Sequence, residues 1–252
     1  MPLKRVQSFP RAFGYLAVSL FTQLSQLKGA ALDLLFPRWC IGCGREGDLL
    51  CEACSGALPR LLPPLCSRCS QPLPRGAKCP SCQGGILELE GLRSPFRFEA
   101  VVRQAIHHLK YKNVKALATP LAQLLADYLS ANPIPHQVLV PVPLHPRRLQ
   151  ERGYNQSSLL AQELGRLIGS PVVTGSLLRQ RDTPAQAKAI AAEARRSNVA
   201  DAFACRDGRL RAREVLLIDD VCTTGATLNS CAHALKAAGA TSVWGLTVAR
   251  EI

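Results

Sequence analysis

Four Cys-x-x-Cys pairs lie close together in the first third of the chain, and they constrain its fold more than any other feature. The pairs are Cys40/Cys43, Cys51/Cys54, Cys66/Cys69 and Cys79/Cys82. Zinc is held tetrahedrally by four thiolates, and a two-residue gap lets both sulfurs of a pair reach one ion. The pattern predicts a double zinc ribbon over residues 37–84 with two structural Zn²⁺ ions. Chain order favours the first four cysteines on one ion and the last four on the other, while a cross-braced pairing fits the same spacing.

A disulfide framework is the alternative interpretation of these cysteines. No convincing secretory signal precedes them, so we expect a reducing, cytoplasmic compartment, where such pairs bind metal. The segment is short and poor in apolar residues, and metal would therefore supply much of its folding free energy. Cys205, Cys222 and Cys231 share no such spacing and are interpreted as small buried or half-buried residues.

Residues 1–36 are interpreted as an N-terminal amphipathic helical segment. Leu20, Leu24, Leu27 and Ala31 recur at helical spacing. Polar residues interrupt the apolar run before it reaches the roughly 18–20 residues of a membrane-spanning helix. We expect a helix that packs on its own protein, with a helix lying on a membrane surface as the alternative.

Strand-like and helix-like segments alternate over residues 91–252. The apolar runs 138–142, 215–218 and 242–248 are predicted strands, and residues 101–109, 116–129 and 157–168 have helical spacing. A further helix is marked by Leu228, Cys231, Leu235 and Ala238. This alternation is typical of an α/β fold whose parallel sheet is covered by helices on both faces.

The most specific segment joins the predicted strand 215–218 to two acids and a polar turn. Asp219 and Asp220 come first, followed by Thr223, Thr224, Gly225, Ala226 and Thr227 at the start of a helix. Backbone N–H groups at a helix start, together with threonine hydroxyls, can surround a phosphate. Carboxylates suit ribose hydroxyls or Mg²⁺. The segment therefore predicts a site for ribose 5-phosphate with both carboxylates exposed to the ligand; the alternative is an acidic strand end with an N-capping threonine.

Two further segments are rich in arginine, in a chain whose 31 Lys plus Arg against 18 Asp plus Glu give a net charge of +13. Such a charge favours anionic partners. Arg147, Arg148, Arg152 and Gly153 form a loop suited to pyrophosphate or nucleic-acid phosphates, or a merely solvated basic loop. Arg179, Arg181, Gln186 and Arg196 belong to a segment interpreted as a hood over phosphates, with a surface helix as the alternative.

Residues 215–227 resemble the phosphoribosyl pyrophosphate (PRPP) motif of the type I phosphoribosyltransferases. The resemblance implies that Asp219 and Asp220 hold the ribose hydroxyls, that residues 223–227 hold the 5-phosphate, and that Mg²⁺ accompanies PRPP. Adding the zinc module, Leu109-Lys110-Tyr111 and Arg152-Gly153-Tyr154-Asn155-Gln156, residues 34–250 resemble the ComF (ComFC-like) family of competence proteins. That family implies a type I phosphoribosyltransferase-like domain over residues 91–252 and a role in DNA uptake, natural transformation or use of DNA as a nutrient.

Two classes of function fit these features. An enzyme would transfer a phosphoribosyl group between pyrophosphate and an unidentified nucleophile; His107, His108 and His145 are its lone candidates for a general base. A non-catalytic module would bind PRPP, a nucleotide or single-stranded DNA and act with a competence helicase. The ComF domain is often described as amidophosphoribosyltransferase-like, but glutamine cleavage needs an N-terminal cysteine, and Pro2 stands there.

We predict that the purified protein contains two zinc ions, because eight cysteines form two sets of four. Chelation should unfold the cysteine-rich module and leave the α/β domain largely folded. Elemental analysis and circular dichroism check both statements. Absence of zinc together with disulfides between the pairs would overturn the assignment.

Overall fold

The computed structural model describes residues 38–75, 77–83, 88–181 and 202–252. The helix predicted over residues 1–36, and Gln186 and Arg196 of the predicted hood, lie outside these ranges. The chain divides into two compact units, residues 1–51 and 52–252. None of the described helices is long and apolar enough to cross a membrane.

Two knuckles of the same geometry carry the first cysteine pair of each set. In one, Gly44 N–H donates to the carbonyl of Cys40 at 2.8 Å; in the other, Ser70 N–H donates to the carbonyl of Cys66 at 2.9 Å. An isolated antiparallel bridge flanks each turn, Trp39 with Glu46 and Leu65 with Pro72. The second pair of each set lies at a short helix, α1 (Glu52–Gly56) and α2 (Pro80–Gln83).

The α/β domain contains seven short to medium strands and five further α-helices among the described residues. In chain order they are β1 (Gly91–Arg93), β2 (Phe96–Arg97), α3 (Ala100–Tyr111), α4 (Ala118–Ala131), β3 (Val138–Pro141), α5 (Pro146–Arg152), α6 (Gln156–Ile168), β4 (Leu177–Arg179), β5 (Phe203–Cys205), β6 (Glu214–Cys222), α7 (Ala226–Ala237) and β7 (Ser242–Arg250). A 3₁₀ turn, Lys115–Leu117, precedes α4.

The main sheet has five strands in the order β1-β7-β6-β3, with β2 also pairing to β7. All of its pairings are parallel, and Ile218 of β6 lies between Pro141 of β3 and Leu246 of β7. Strands β4 and β5 form a separate antiparallel pair. The predicted fold class, a parallel sheet with flanking helices behind a double zinc ribbon, is confirmed.

Helices bury both faces of the sheet because alternate strand residues point to opposite sides. Val215 and Leu217 belong to the same buried cluster as Leu228 and Leu235 of α7. Leu216 and Ile218 are equally buried and point to the other side, where α6 packs against β3 and β6 and is itself covered by α4. A strand buried on both faces requires the continuous apolar run that residues 215–218 provide.

Strand β6 is longer than the apolar run predicted. It continues through both acids to Cys222, because β7 pairs with it as far as Cys222 and Arg250. Ladder hydrogen bonds to β7 thus hold the acids in extended conformation. This extension decides where the two carboxylates point, since successive side chains of a strand face opposite sides.

Candidate functional site

The cysteines form two sets of four sulfurs, and each set is compact enough for one metal ion. Within each set the ligand atoms all lie within 4.8 Å of one another. The sets are Cys40, Cys43, Cys51 and Cys54, and Cys66, Cys69, Cys79 and Cys82. Sulfur pairs approach to 3.7 Å (Cys43 and Cys51), 3.7 Å (Cys66 and Cys82) and 3.6 Å (Cys69 and Cys79). Four sulfurs about 2.3 Å from a tetrahedral zinc ion would be separated by nearly this distance.

The pKa values of the thiols in these sets are shifted in opposite directions, as expected of neighbouring groups that cannot all ionise without a cation. Burial opposes ionisation of Cys40, but hydrogen bonds from the backbone of Cys51, Cys43 and Gly42 outweigh it and lower its pKa to about 6. In the second set, similar backbone bonds lower the pKa of Cys66 to about 7 against the effect of burial. Burial and neighbouring thiols raise the pKa of Cys82. Four thiolates in contact repel one another unless a metal ion compensates their charge, so the geometry and chemistry fit structural zinc on the sequential sets.

The two acids of β6 lie at the carboxyl edge of the parallel sheet, where open α/β sheets bind ligands. Asp219 is half-buried; its Oδ1 accepts hydrogen bonds from Ser157 Oγ at 2.7 Å and from Asp220 N–H at 2.9 Å. Burial, reinforced by the neighbouring charge of Asp220, raises the pKa of Asp219 to about 7. This carboxyl group therefore exchanges its proton near neutral pH.

Asp220 differs from the prediction that both carboxylates are exposed. It is 3% exposed and forms an ion pair with Lys110, near the end of α3. Burial opposes the charge on Lys110, but attraction to Asp220 and Asp219 outweighs it and raises the pKa of the amine. The reason for the difference is the extension of β6, which turns Asp220 inward toward α3.

The polar turn after β6 presents its groups to solvent at the start of α7. Thr223 and Thr224 are exposed, and Gly225 has a φ of +83°, a left-handed conformation that favours glycine. Ala226 and Thr227 follow as the exposed first residues of the twelve-residue helix. The first N–H groups of a helix have no partner within it and carry a partial positive charge. Ala226 N–H donates to Thr224 Oγ1 at 3.3 Å, and the phosphate cradle stays a prediction.

The arginine loop folds into α5, and two side chains fix it against the rest of the site. Asn155 Nδ2 donates to the carbonyl of Val142 at 2.9 Å, and its Oδ1 accepts from Ser157 N–H at 3.0 Å. The Tyr154 hydroxyl donates to the carbonyl of Leu109, next to Lys110. These bonds connect the arginine loop to both partners of the acids, Ser157 and Lys110.

A pocket of about 610 Å³ lies beside Lys110 and receives two of the predicted arginines. Its lining consists of Lys110, Tyr111, Asn113, Arg148, Glu151, Arg152 and Tyr154. The Arg152 guanidinium lies 5.2 Å from the centre of the Tyr111 ring and also donates to Gln156. Arg147 is exposed and forms an ion pair with Glu151 at 3.0 Å, and it does not line the pocket. Gly153, with a φ of +77°, ends α5 and lets the chain turn into this pocket wall.

The described part of the predicted hood begins as strand β4. Arg179 lies 5.6 Å over the ring of Phe203, its partner on β5, and donates to the carbonyl of Arg181 at 3.3 Å. Arg179 is thus the last residue of β4 in an antiparallel ladder, and Arg181 follows beyond the strand. Two of the histidines proposed as general bases do not line the pocket. His145 accepts from Arg147 N–H at the start of α5, and His107 packs on the Tyr111 ring.

Ser157 is a site residue that no sequence motif identified, and Lys110 was named only within the Leu109-Lys110-Tyr111 motif, without a role. Ser157 begins a segment whose helical spacing predicted a helix, and Lys110 directly follows another. Nothing local distinguishes a lysine or serine that faces the sheet edge from one that faces solvent. A signal for Lys110 existed in its place directly after the buried Leu109, where an amphipathic helix changes from its apolar to its polar side.

Comparison with known proteins identifies the cysteine-rich module and relatives of most of the chain. A family model for a double zinc ribbon domain matches residues 31–83. Competence protein F of Haemophilus influenzae is 31% identical over 223 residues, which cover 82% of this chain and 95% of that protein. DNA utilization protein YhgH of Escherichia coli K12 is 30% identical, covering 78% and 89%, and competence protein ComFC of Bacillus subtilis is 27% identical, covering 82% and 86%.

Two solved structures with partial similarity have names that refer to phosphoribosyl compounds. The glutamine PRPP amidotransferase of B. subtilis has a TM-score of 0.37 at 19% identity and covers 51% of this chain and 26% of that chain. Adenine phosphoribosyltransferase of Leishmania tarentolae has a TM-score of 0.34 at 18% identity and covers 52% and 56%. Overlaps of this size carry no argument about function, which has to be argued from the site.

We predict that Asp219→Asn raises the stability of the protein at pH 8. The folded state raises the pKa of this carboxyl from 3.8 to about 7, so it binds the proton more tightly than the unfolded chain does. The ionised form therefore costs stability, and the cost grows as pH rises from about 4 to 7 and stays constant above. The variant should gain about 1–2 kcal/mol in the free energy of unfolding at pH 8 and show a flatter pH dependence in urea titrations.

Asp220→Asn is the matched variant and should have the opposite effect. It leaves Lys110, whose side chain is 20% exposed, without its carboxylate, so the free energy of unfolding should fall by about 2 kcal/mol. Equal effects of the two substitutions would contradict the different environments assigned to these neighbours.

Proposed function

Because this chain belongs to the ComF family of competence proteins, we propose that it binds PRPP or a related phosphoribosyl ligand at the end of β6. The proposed process is DNA uptake, natural transformation or the use of DNA as a nutrient. The relatives named for competence and for DNA utilization supply the process. The residues at the end of β6 support the proposed class of ligand. A cytoplasmic location is part of this proposal.

The observation that carries the ligand assignment is the succession of two carboxylates and an exposed, hydroxyl-rich turn within nine residues of chain, 219–227. The carboxylates repel phosphate, so they suit the hydroxyl groups of a sugar, whereas the turn and the start of α7 suit a phosphate. A ribose 5-phosphate has both groups at its two ends. A ligand that was only a phosphate would make no use of the carboxylates, and one that was only a sugar would make no use of the turn.

Each described residue then has a distinct role. Asp219 accepts from a ribose hydroxyl on the side not used by Ser157, and Asp220 acts with Lys110 at the neighbouring hydroxyl. The N–H groups of Gly225, Ala226 and Thr227, with the Thr223 and Thr224 hydroxyls, bind the 5-phosphate. The ion pair with Lys110 holds the Asp220 carboxylate in place before the ligand arrives.

The pocket beside Lys110 is proposed to receive the pyrophosphate of PRPP. Arg148 and Arg152 line it with Lys110, and guanidinium groups offer paired donors to phosphate oxygens. Mg²⁺ bound to PRPP would neutralise pyrophosphate charge. Asp219, half-buried at the sheet edge, would be the carboxylate that contacts this ion. The pocket would hold pyrophosphate equally in a binding module and in a transferase. Assay of the purified protein for pyrophosphate release, with and without candidate acceptors, separates the two.

Single-stranded DNA is a second proposed ligand, and one observation favours it. The same pocket that carries Arg148 and Arg152 also carries Tyr111, which is 65% exposed. Proteins bind single strands without sequence preference through cations that contact the backbone phosphates and through exposed aromatic rings on which bases stack. We propose that a competence helicase delivers or receives such a strand.

We predict that PRPP affinity falls below pH 7 as Asp219 takes up a proton. Burial and Asp220 raise its pKa to about 7, and the neutral acid loses its charge-assisted bond to the ribose hydroxyl. From pH 8 to pH 6 the dissociation constant of the wild type, measured by calorimetry with Mg²⁺, should rise about tenfold through this group.

Asp219→Asn is the control for that experiment because the phosphates of PRPP also titrate in this range. The variant should bind more weakly than the wild type at pH 8 and retain only the pH dependence that belongs to the ligand. Identical pH profiles for wild type and variant would remove Asp219 from the site. A wild type that binds neither PRPP nor ribose 5-phosphate would overturn the proposed ligand class.

We predict that the protein binds single-stranded DNA weakly, with affinity that decreases by about 0.7 log units per log unit of salt for each phosphate contact. Arg148→Glu with Arg152→Glu should flatten this salt dependence. Arg166→Glu with Arg209→Glu is the matched control, because both arginines are exposed, pair with Glu163 and Asp207, and lie outside the pocket. Fluorescence anisotropy at several salt concentrations measures the slopes. A slope unchanged by the double substitution would show that the pocket does not contact DNA.

A further inference from the structure

Arg250, the last residue of β7, has a fully enclosed side chain that the proposed ligand site does not use. Its exposure is 1%, and its guanidinium makes three hydrogen bonds. Nη1 donates to the carbonyl of Cys69 at 2.8 Å and to the sulfur of Cys222 at 3.2 Å, and Nε donates to Gln71 Oε1 at 2.9 Å. One buried cation thus joins the second cysteine set to the end of β6.

The two ends of this connection are the metal centre and the polar turn. Cys69 is a ligand of the second set, and Cys222 is the residue directly before Thr223. The Cys222 sulfur also lies 3.8 Å from the point where a Cβ on Gly225 would stand, so it forms the floor of the turn. A movement of the Cys69 knuckle would therefore reach the turn through a single side chain.

A second set of contacts runs parallel to the first, through Leu92 of β1. The Arg68 carbonyl accepts from Leu92 N–H at 2.6 Å, and Ser70 Oγ donates to the Leu92 carbonyl at 2.8 Å. The Leu92 side chain lies 3.7 Å from the same Cβ position on Gly225. Residues 68–70 of the knuckle therefore position Leu92, whose side chain contacts the turn from another side than Cys222 does.

The charge balance of Arg250 points to the metal. Its three acceptors are a carbonyl, an amide and a buried cysteine sulfur, and none of them is a carboxylate. A buried cation is costly without a counter-charge. Four thiolates around Zn²⁺ carry two net negative charges, and Arg250 bonds to the backbone of one of those four residues. With zinc bound, the second cysteine set would place such a counter-charge beside this guanidinium.

We propose that Arg250 is a positioning residue that couples the second zinc centre to the turn at residues 222–226, so that zinc bound there holds the turn in its ligand-ready shape. Loss of this zinc leaves the guanidinium without its counter-charge and frees the floor of the turn. Zinc occupancy of the second centre then sets the affinity of the turn for an anionic ligand. The coupling concerns the protein alone, and its effect on PRPP rests on the proposed function.

The test compares Arg250→Met, which removes the charge and the bonds, with Arg250→Lys, which keeps the charge. Leu121→Ala in α4 is the control for general loss of stability, since Leu121 is fully buried elsewhere in the same unit. Cys43→Ser damages the first zinc centre, whose ligands take no part in these contacts. Two readouts are measured on full-length protein: zinc release to a colorimetric chelator, and hydrogen exchange of the amides at residues 222–226 relative to those of α4.

Arg250→Met should release the second zinc ion about 10–100 times more readily, the range found for partners of metal ligands, and speed exchange at residues 222–226 about tenfold. Arg250→Lys should fall between this variant and the wild type. In the wild type, zinc removal should speed exchange at the turn before that of α4. Cys43→Ser should leave the ratio of turn to α4 exchange unchanged, and Leu121→Ala, which lies in α4 itself, should speed exchange in α4 at least as much as at the turn.

Exchange at the turn that is indifferent both to Arg250→Met and to zinc removal overturns the proposal. So does a zinc-release rate of Arg250→Met equal to that of Leu121→Ala. Calorimetry with PRPP is read separately: a wild type that does not bind PRPP refutes the proposed function, while the exchange and zinc data still decide the coupling. If the wild type binds PRPP, Arg250→Met and the zinc-depleted wild type should both bind it at least about tenfold more weakly.

Discussion

The ion pair between Lys110 and Asp220 is the interaction on which the arrangement of the site depends. Asp220 is 3% exposed, and the Lys110 amine supplies the counter-charge that a carboxylate at such a buried position needs. The pair also fixes the end of α3 over the sheet edge. Since Tyr154 bonds to the carbonyl next to Lys110, the arginine loop takes its position from the same helix end. One electrostatic contact therefore orders groups from α3, β6 and the loop before α6.

The sequence predicted those elements whose signals are local. Residues 215–218 are apolar without interruption because β6 is buried on both faces, and Gly169 ends α6 in the left-handed conformation expected of a helix C-terminus. Cysteine spacing predicted both metal sets because four sulfurs on one ion leave few alternatives. Cys222 and Cys231 are buried and Cys205 is half-buried, as interpreted.

The sequence did not predict contacts between residues distant in the chain. Asp220 was expected to be exposed, and its burial follows from pairing with β7, a strand about thirty residues further on. Ser157 and Arg250 gain their roles from partners 62 and 28 residues away. No local pattern encodes such distances. Strands β1 and β2 were also unpredicted, because they are three and two residues long and carry arginines that disrupt the apolar pattern.

The position of β7 has a consequence for synthesis on the ribosome. This strand lies between β1 and β6 although both precede it in the chain, so β1 and β2 have no partner in the main sheet until residues 242–250 have emerged. Pairings between segments so far apart form slowly, because a long loop must close first. During that interval the apolar edge of β6 that β7 will cover is open to other chains. An uncovered strand edge of this kind can pair with another chain, so the late arrival of β7 is the step at which this architecture is most exposed to aggregation.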